Sequence, residues 1–202
     1  MSSIRYTIEH CAIVLLAAGE SSRLGSPKQL LVYKGKSLLQ HAVNVALQTT
    51  MRPAIVVVGA NSDAVKNEME EMDVEVVENK GWREGMASSL RCGLAAVQKK
   101  NIDADGIIFM VCDQPFIIPA LLDSLLLQQK ATGLPIVASN YENKLGTPAL
   151  FHKSFFAELM KLSGDTGAGM LIKNNQEQVS SVVFPKGIID IDTKTDYEAL
   201  LQ

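Results

Sequence analysis

The stretch IVLLAAGESSRLGSPKQLL, residues 13–31, sets the terms for the rest of the chain. An uninterrupted apolar run ends in glycine and gives way to two basic residues. This is the pattern of a buried strand leading into an anion-binding loop. The loop fits neither of two familiar phosphate templates. Walker A places lysine directly after a second glycine five residues from the first; here Gly19 and Gly25 are six apart and Lys28 follows three residues later. The dinucleotide fingerprint G-x-G-x-x-G is also absent. Gly19 allows a close approach of backbone to a ligand, and Ser21 and Ser22 add hydroxyl donors. Arg23 offers a planar fork and Lys28 a compact movable charge. Pro27 biases Ser26 away from helical geometry, which keeps the loop extended between the two cations. Two cations from one short loop, in a chain of net charge −3, imply a polyanionic ligand; the competing reading is a loop whose Arg and Lys are merely solvated.

Further along the chain, short apolar segments recur at 54–59, 74–78, 106–113, 135–140 and 179–184. Continuous β-branched runs of this kind suit strands covered on both faces. Between them, residues 37–48, 61–72, 85–100 and 119–130 carry apolar residues at three- and four-residue spacing, the signature of amphipathic helices. Ser37 and Asn61 are the expected N-caps of the first two. The alternation predicts an α/β fold with a mainly parallel sheet and right-handed crossovers. Ligands of such sheets bind beyond the carboxyl ends of the strands, which brings the loops at 17–29, 79–89 and 112–116 together.

Composition narrows the function classes. A pI near 5.6 argues against general affinity for nucleic acid or anionic membranes. Cys11, Cys92 and Cys112 show no C-x-x-C pair or zinc spacing; the two within apolar stretches are expected to be small buried thiols, and the odd count favours a reducing compartment. The apolar run beginning at residue 12 is too short for a membrane span and leads straight into the glycine loop. A cytoplasmic location is the expectation. His10, His41 and His152 suggest no relay and are assigned structural or solvated roles.

The order of residues in LAAGESSRLGSPKQLL resembles the signature of the nucleotidyltransferase superfamily that includes the molybdenum-cofactor guanylyl- and cytidylyltransferases, with Leu24 where methionine is usual. Four further blocks follow in the same order: NKGWREGMASSLRCGL, VCDQPF, GTPALF with GDTGAGMLI, and IDIDTKTDYEAL. The resemblance covers nearly the whole chain. It implies one Rossmann-like, three-layer α/β/α domain of GT-A type spanning residues 1–202. It also implies attack on the α-phosphate of a nucleoside triphosphate with loss of pyrophosphate. Arg23 and Lys28 would then bind the triphosphate and stabilise transition-state charge. Leu16, Ala17, Ala18, Gly19, Ser21 and Gly25 would form the nucleotide loop with Lys28.

Such chemistry needs little beyond positioning, cations and metal. Mg²⁺ takes oxygen ligands and keeps several waters, so one or two carboxylates at a strand end suffice. The resemblance assigns this role to Asp113, which could otherwise cap its turn. Asp190 and Asp192 would share one face if extended; the resemblance selects Asp192, whose alternative role is a helix N-cap. Ser88 and Ser89, at an expected helix start, are candidates to hold the base or the acceptor. Trp82 either lies over a flat ring or fills an apolar notch.

Two departures concern the acceptor side: Thr147 stands where many relatives have histidine, and Gly169 where many have arginine. The LAAG form resembles the cytidylyl members, with Ala18 near the base excluding a larger purine by about 1–3 kcal/mol. The expected activity is Mg²⁺-dependent transfer of CMP from CTP to molybdopterin, whose product serves a molybdoenzyme such as a xanthine dehydrogenase. A sugar- or polyol-phosphate acceptor and a non-catalytic cofactor carrier are the alternatives.

Overall fold

The structure is a computed structural model that describes residues 5–21, 24–100 and 103–202. Its strands are β1 (Cys11–Ala17), a hairpin of β2 (Val32–Tyr33) and β3 (Lys36–Ser37), β4 (Ala54–Val58), β5 (Glu75–Glu78), β6 (Gly106–Val111), β7 (Ile136–Tyr141), β8 (Lys144–His152) and β9 (Val179–Val183). The α-helices are α1 (Leu38–Leu47), α2 (Ser62–Asn67), α3 (Met86–Lys99), α4 (Pro119–Thr132), α5 (Phe156–Lys161), α6 (Gly169–Asn174) and α7 (Lys194–Leu200). Seven strands form one sheet in the order β5–β4–β1–β6–β8–β7–β9. All run parallel except β8, which lies antiparallel to both β6 and β7. The expected mainly parallel α/β fold is the one observed.

Alternation along the central strands divides the core into two layers. Ile13, Leu15 and Ala17 of β1 face Leu39, Val43, Val65 and Leu122 on α1, α2 and α4. Ala12 and Val14 face Leu90, Leu94, Leu159 and Ile172 on α3, α5 and α6. Both faces of the central strands are therefore covered, which is why β1, β4 and β6 read as unbroken apolar runs. Gly93 lets α3 seat on the sheet, since a Cβ there would meet Val14 Cγ1, and Val57 Cγ2 at 3.1 Å.

Local signals set the helix starts unevenly. Ser37 caps α1 through a reciprocal box with Gln40, as expected (both bonds 3.1 Å). Asn61 precedes α2 in the left-handed region at φ 58° and makes no side-chain cap, which corrects its expected role. The helix it opens ends at Asn67, short of the periodic stretch. Among the described residues no helix is long and apolar enough to cross a membrane.

Candidate active site

β1 and β6 are neighbours in register, with Leu16 opposite Val111. The glycine loop and Asp113 therefore leave the sheet side by side. After a 3-10 turn begins at Lys28, its ammonium reaches two carboxylates at once, Asp113 Oδ2 at 2.5 Å and Asp192 Oδ1 at 2.9 Å. Burial alone would lower the pKa of Lys28. The Asp113 charge and the hydrogen bonds to Asp113 and Asp192 outweigh it, and the net shift is upward.

Asp192 arrives from the far end of the chain. Ile191 N donates to Asp113 O at 3.0 Å and ties the two segments together. The cap of α7 is Thr193, in a reciprocal box with Asp196, and not Asp192. Asp192 sends its carboxylate to Lys28 instead, so the alternative of Asp192 as helix cap is set aside.

The loop itself is held from beneath by Gln29, a buried residue passed over in the sequence. Its Nε2 donates to Ala17 O at 2.8 Å and to Gly19 O at 2.9 Å. Ser21 adopts φ 59° and accepts from Lys28 N at 3.0 Å. The left-handed turns fall at Ser21 and Gly25, not at Gly19. A Cβ at Gly19 would meet nothing within 4 Å, leaving open space over its backbone. Arg23 and Ser22 lie outside the described residues.

Beside the loop opens a cleft of ≈ 600 Å³, bounded by Ser21, Gly25 and Pro27, by Gly59, Asn61 and Ser62 after β4, and by Trp82 and Arg83. The Arg83 guanidinium lies 4.3 Å from the Trp82 ring centroid and covers one face of it. Trp82 also packs against the core, so it fills a notch while bounding the cleft. Leu16 and Ala17 send their side chains into the two core layers. Ala18 is buried behind Gly59, and Gly59 rather than Ala18 lines the cleft.

Ser88 and Ser89 sit in the first turn of α3 but face inward. Asn79 Nδ2 donates to Ser88 Oγ at 2.8 Å and to Ser89 Oγ at 3.0 Å, and Ser88 Oγ donates to Gly85 O at 2.8 Å. Asn79 Oδ1 accepts from Gly81 N at 3.0 Å, so this network shapes the turn that carries Trp82. Gly85 has φ +101°, and a Cβ there would strike Gly164 and Asp165 at 2.5 Å. Only glycine lets the 163–168 segment close onto the start of α3.

A second, smaller cleft of ≈ 290 Å³ lies on the other side of Asp113, between Met86, Tyr141, Lys144, Thr147 and Asp190. Burial, then the charges of Asp113 and Asp192, hold the Asp190 carboxyl above the usual range. Burial, with Asp190 and Asp113, raises the Tyr141 hydroxyl in the same direction. Gln114 in its wall donates to Gly187 O at 3.0 Å, and Gln114 Oε1 is buried with no partner among the described residues. A Cβ at Gly169 meets nothing within 4 Å, so the position of the expected arginine opens to solvent.

Cys11, Cys112, His41 and His152 are accounted for by packing or local hydrogen bonds. Burial pushes the thiols of Cys11 and Cys112 up to about 12 and leaves them unreactive. His41 Nε2 bonds Tyr33 O at 2.6 Å, and His152 Nδ1 accepts from Ser154 N at 3.1 Å.

Comparison with known proteins matches this arrangement to one family. The MobA-like NTP transferase domain matches residues 13–179. The nicotine blue oxidoreductase of Paenarthrobacter nicotinovorans is 31% identical over 167 residues, 79% of this chain and 80% of that protein. The purine catabolism protein PucB of Bacillus subtilis (strain 168) is 26% identical over 200 residues, 92% of this chain and 93% of its own. The crystal structure of Rv0371c from Mycobacterium tuberculosis H37Rv superposes with a TM-score of 0.80 at 35% identity, covering 95% of this chain and 98% of that one. A complex of Rv0371c with manganese superposes equally well, at a TM-score of 0.79 and 32% identity. The chain belongs to the MobA-like NTP transferase domain family, and its chemistry is that of a nucleotidyltransferase.

Proposed function

We propose that residues 1–202 form one cytoplasmic nucleotidyltransferase domain that transfers CMP from CTP to molybdopterin with Mg²⁺ as cofactor, releasing pyrophosphate. The observation that carries the reading is the convergence of Asp113 and Asp192 on the single ammonium of Lys28, at 2.5 and 2.9 Å. Two oxygens that meet at one ammonium also suit one hard divalent cation, which completes its shell with water. Among the described residues no group of three or more His, Cys, Asp or Glu gathers into a metal cage, and a cation such as Mg²⁺ needs only one or two carboxylates because it keeps several waters. When bound, the metal neutralises phosphate charge. The manganese complex of Rv0371c supports a divalent-metal site in a relative with 32% identity.

The chain's own groups do the rest. Ser21, Gly25 and the backbone over Gly19 seat the triphosphate, with Arg23 from the same loop gripping its oxygens. Lys28 meets the charge that develops as the bridging P–O bond breaks. An oxygen of the acceptor's terminal phosphate attacks the α-phosphorus. The new P–O bond forms as pyrophosphate departs with the electron pair, and no base is required. The base occupies the ≈ 600 Å³ cleft, where Ala18 behind Gly59 sets the depth of the wall. Ser88 and Ser89 act on the nucleotide indirectly, by holding the Asn79 turn that presents Trp82. The dinucleotide product would pass to a molybdoenzyme such as a xanthine dehydrogenase.

A sugar- or polyol-phosphate acceptor is the second reading, favoured by the open space at Gly169. The test is incubation with molybdopterin and Mg²⁺ plus CTP, GTP or ATP in turn, following pyrophosphate and dinucleotide, with Asp113→Ala as control. Product with CTP that disappears in Asp113→Ala is the expected result. Product chiefly with GTP would overturn the base assignment. Mg²⁺-dependent triphosphate binding without product would favour the second reading, and neither binding nor turnover would favour a cofactor carrier.

A further inference from the structure

We propose that Lys144 is the acceptor-binding cation of this enzyme, and that the cleft between Tyr141 and Asp190 takes the terminal phosphate of a phosphomonoester. This rests on the nucleotidyltransferase reading of the Lys28–Asp113–Asp192 cluster and extends it to the other substrate.

The cleft adjoins Asp113 and is separate from the nucleotide cleft, with which it shares no lining residue. A group bound there would reach Asp113 without entering the nucleotide cleft. Of the residues that line it, Lys144 alone carries positive charge. Among the described residues Lys144 forms no ion pair and no side-chain hydrogen bond. Asp113, by contrast, already has Lys28 at 2.5 Å. Asp113 and Asp190 also line the cleft, so a phosphate entering it needs a cation, and Lys144 is the uncommitted one there, with Thr147 in the same lining.

The hairpin sets where the exposed Lys144 side chain leaves the backbone. Tyr141 and Lys144 are register partners across a two-residue turn, Glu142 and Asn143, both left-handed at φ 49° and 66°. This is the tight hairpin geometry that matches strand twist, adopted here with a glutamate that disfavours it. Tyr141 is clamped in turn. A Cβ at Gly146 would strike its hydroxyl, and one at Gly187 would meet its Cδ1 at 2.7 Å. The ring is thus a rigid wall, and Lys144 stands at its mouth. A tight two-residue hairpin at the rim of a cleft presents its charge at a defined point of the strand.

The experiment measures steady-state kinetics with Mg·CTP and each of three phosphomonoesters, molybdopterin, glucose 1-phosphate and ribitol 5-phosphate, for wild type, Lys144→Met and Lys144→Arg. Direct titration of Mg·CTP runs alongside. Lys144→Met is expected to raise the acceptor KM about tenfold or more, as loss of a charge-assisted contact does. Its CTP KM and its Mg·CTP affinity should stay within about twofold of wild type, and Lys144→Arg should restore most of the loss. The three acceptors distinguish which phosphomonoester is used. An unchanged acceptor KM in Lys144→Met, or an equal rise in the KM for CTP, overturns the role of Lys144. Wild type that binds Mg·CTP but turns over none of the three overturns the acceptor class and leaves the nucleotide site standing. Wild type that does not bind Mg·CTP overturns both.

Discussion

Lys28 carries one positive charge and answers to two negative ones, and its substitution separates two effects. Lys28→Met should lower kcat by roughly 10²–10³, the usual cost of one charge-stabilising donor. It also strips the counterion from Asp113 and Asp192 (2.5 and 2.9 Å away), so the two carboxylates repel. Mg²⁺ should therefore raise the melting temperature of Lys28→Met more than that of wild type, measured by calorimetry. The pKa of Lys28 is raised above the ordinary 10.5, so its stabilising contribution is complete below that pH and fades only above it. Near neutrality this cluster does not titrate through Lys28. His152 has the opposite sign. Burial, then Lys153, hold its imidazole below the ordinary 6.5. The neutral ring is the folded form, and Nδ1 accepts from Ser154 N at 3.1 Å. Stability is thus complete above pH 6.5 and declines as the pH falls below it. Urea midpoints between pH 5 and 7.5 should show this slope, and His152→Asn, which keeps an acceptor without titrating, should flatten it.

At the scale of elements, α3 is the piece most sensitive to a small change. Gly93→Ala would add about 1 kcal/mol of helix propensity. Against that, a Cβ there meets Val14 Cγ1 and, at 3.1 Å, Val57 Cγ2, and such overpacking typically costs about 1–3 kcal/mol. The net should be a melting temperature a few degrees lower, with helix content unchanged by circular dichroism. The elements legible in the sequence were those with continuous apolar character. The six runs from residue 12 to 184 all became strands of the main sheet; for the interior strands β1, β4, β6 and β7 this is because two covered faces leave no polar alternation to misread. β8 escaped notice for a physical reason. Its first part, KLGT, carries glycine and exposed or half-buried residues, and only PALFH is buried. The hairpin of β2 and β3 is two residues a side and has no period to detect. Similar limits applied to the site. Lys28, Asp113 and Asp192 stood out through the motifs around them, and the structure brings the three together. Nothing in the sequence pointed to Gln29 or Lys144, whose placement depends on a buried amide and a hairpin register. The inward turn of Ser88 and Ser89 toward Asn79 was likewise invisible, since spacing does not reveal which way a hydroxyl faces.

Across the whole molecule, the two ends of the sheet are treated differently. The β5 edge is flanked by ion pairs of Lys66 with Glu78 at 2.6 Å and Lys100 with Glu75 at 2.8 Å. Charged edges of this kind resist pairing with other chains. The opposite edge, β9, reads VSSVV without a charge, and Val183 is 78% exposed. Ligand response is also a property of the entire chain. Mg·CTP at about 100 times its dissociation constant should stabilise the fold by about 2.7 kcal/mol. In a chain of 202 residues that amounts to a rise of roughly 5–10 °C in melting temperature. Asp113→Ala should abolish the rise in a thermal-shift measurement, while excess Mg²⁺ without nucleotide should reproduce little of it. The alignment of β1 with β6, Leu16 against Val111, has a wider meaning here. Lys28 and Asp113 lie on the segments that follow these two paired central strands, so the β1–β6 register sets where both segments leave the sheet. A substitution that shifts β1 against β6 would therefore be felt at both charges at once, however far from them it is made.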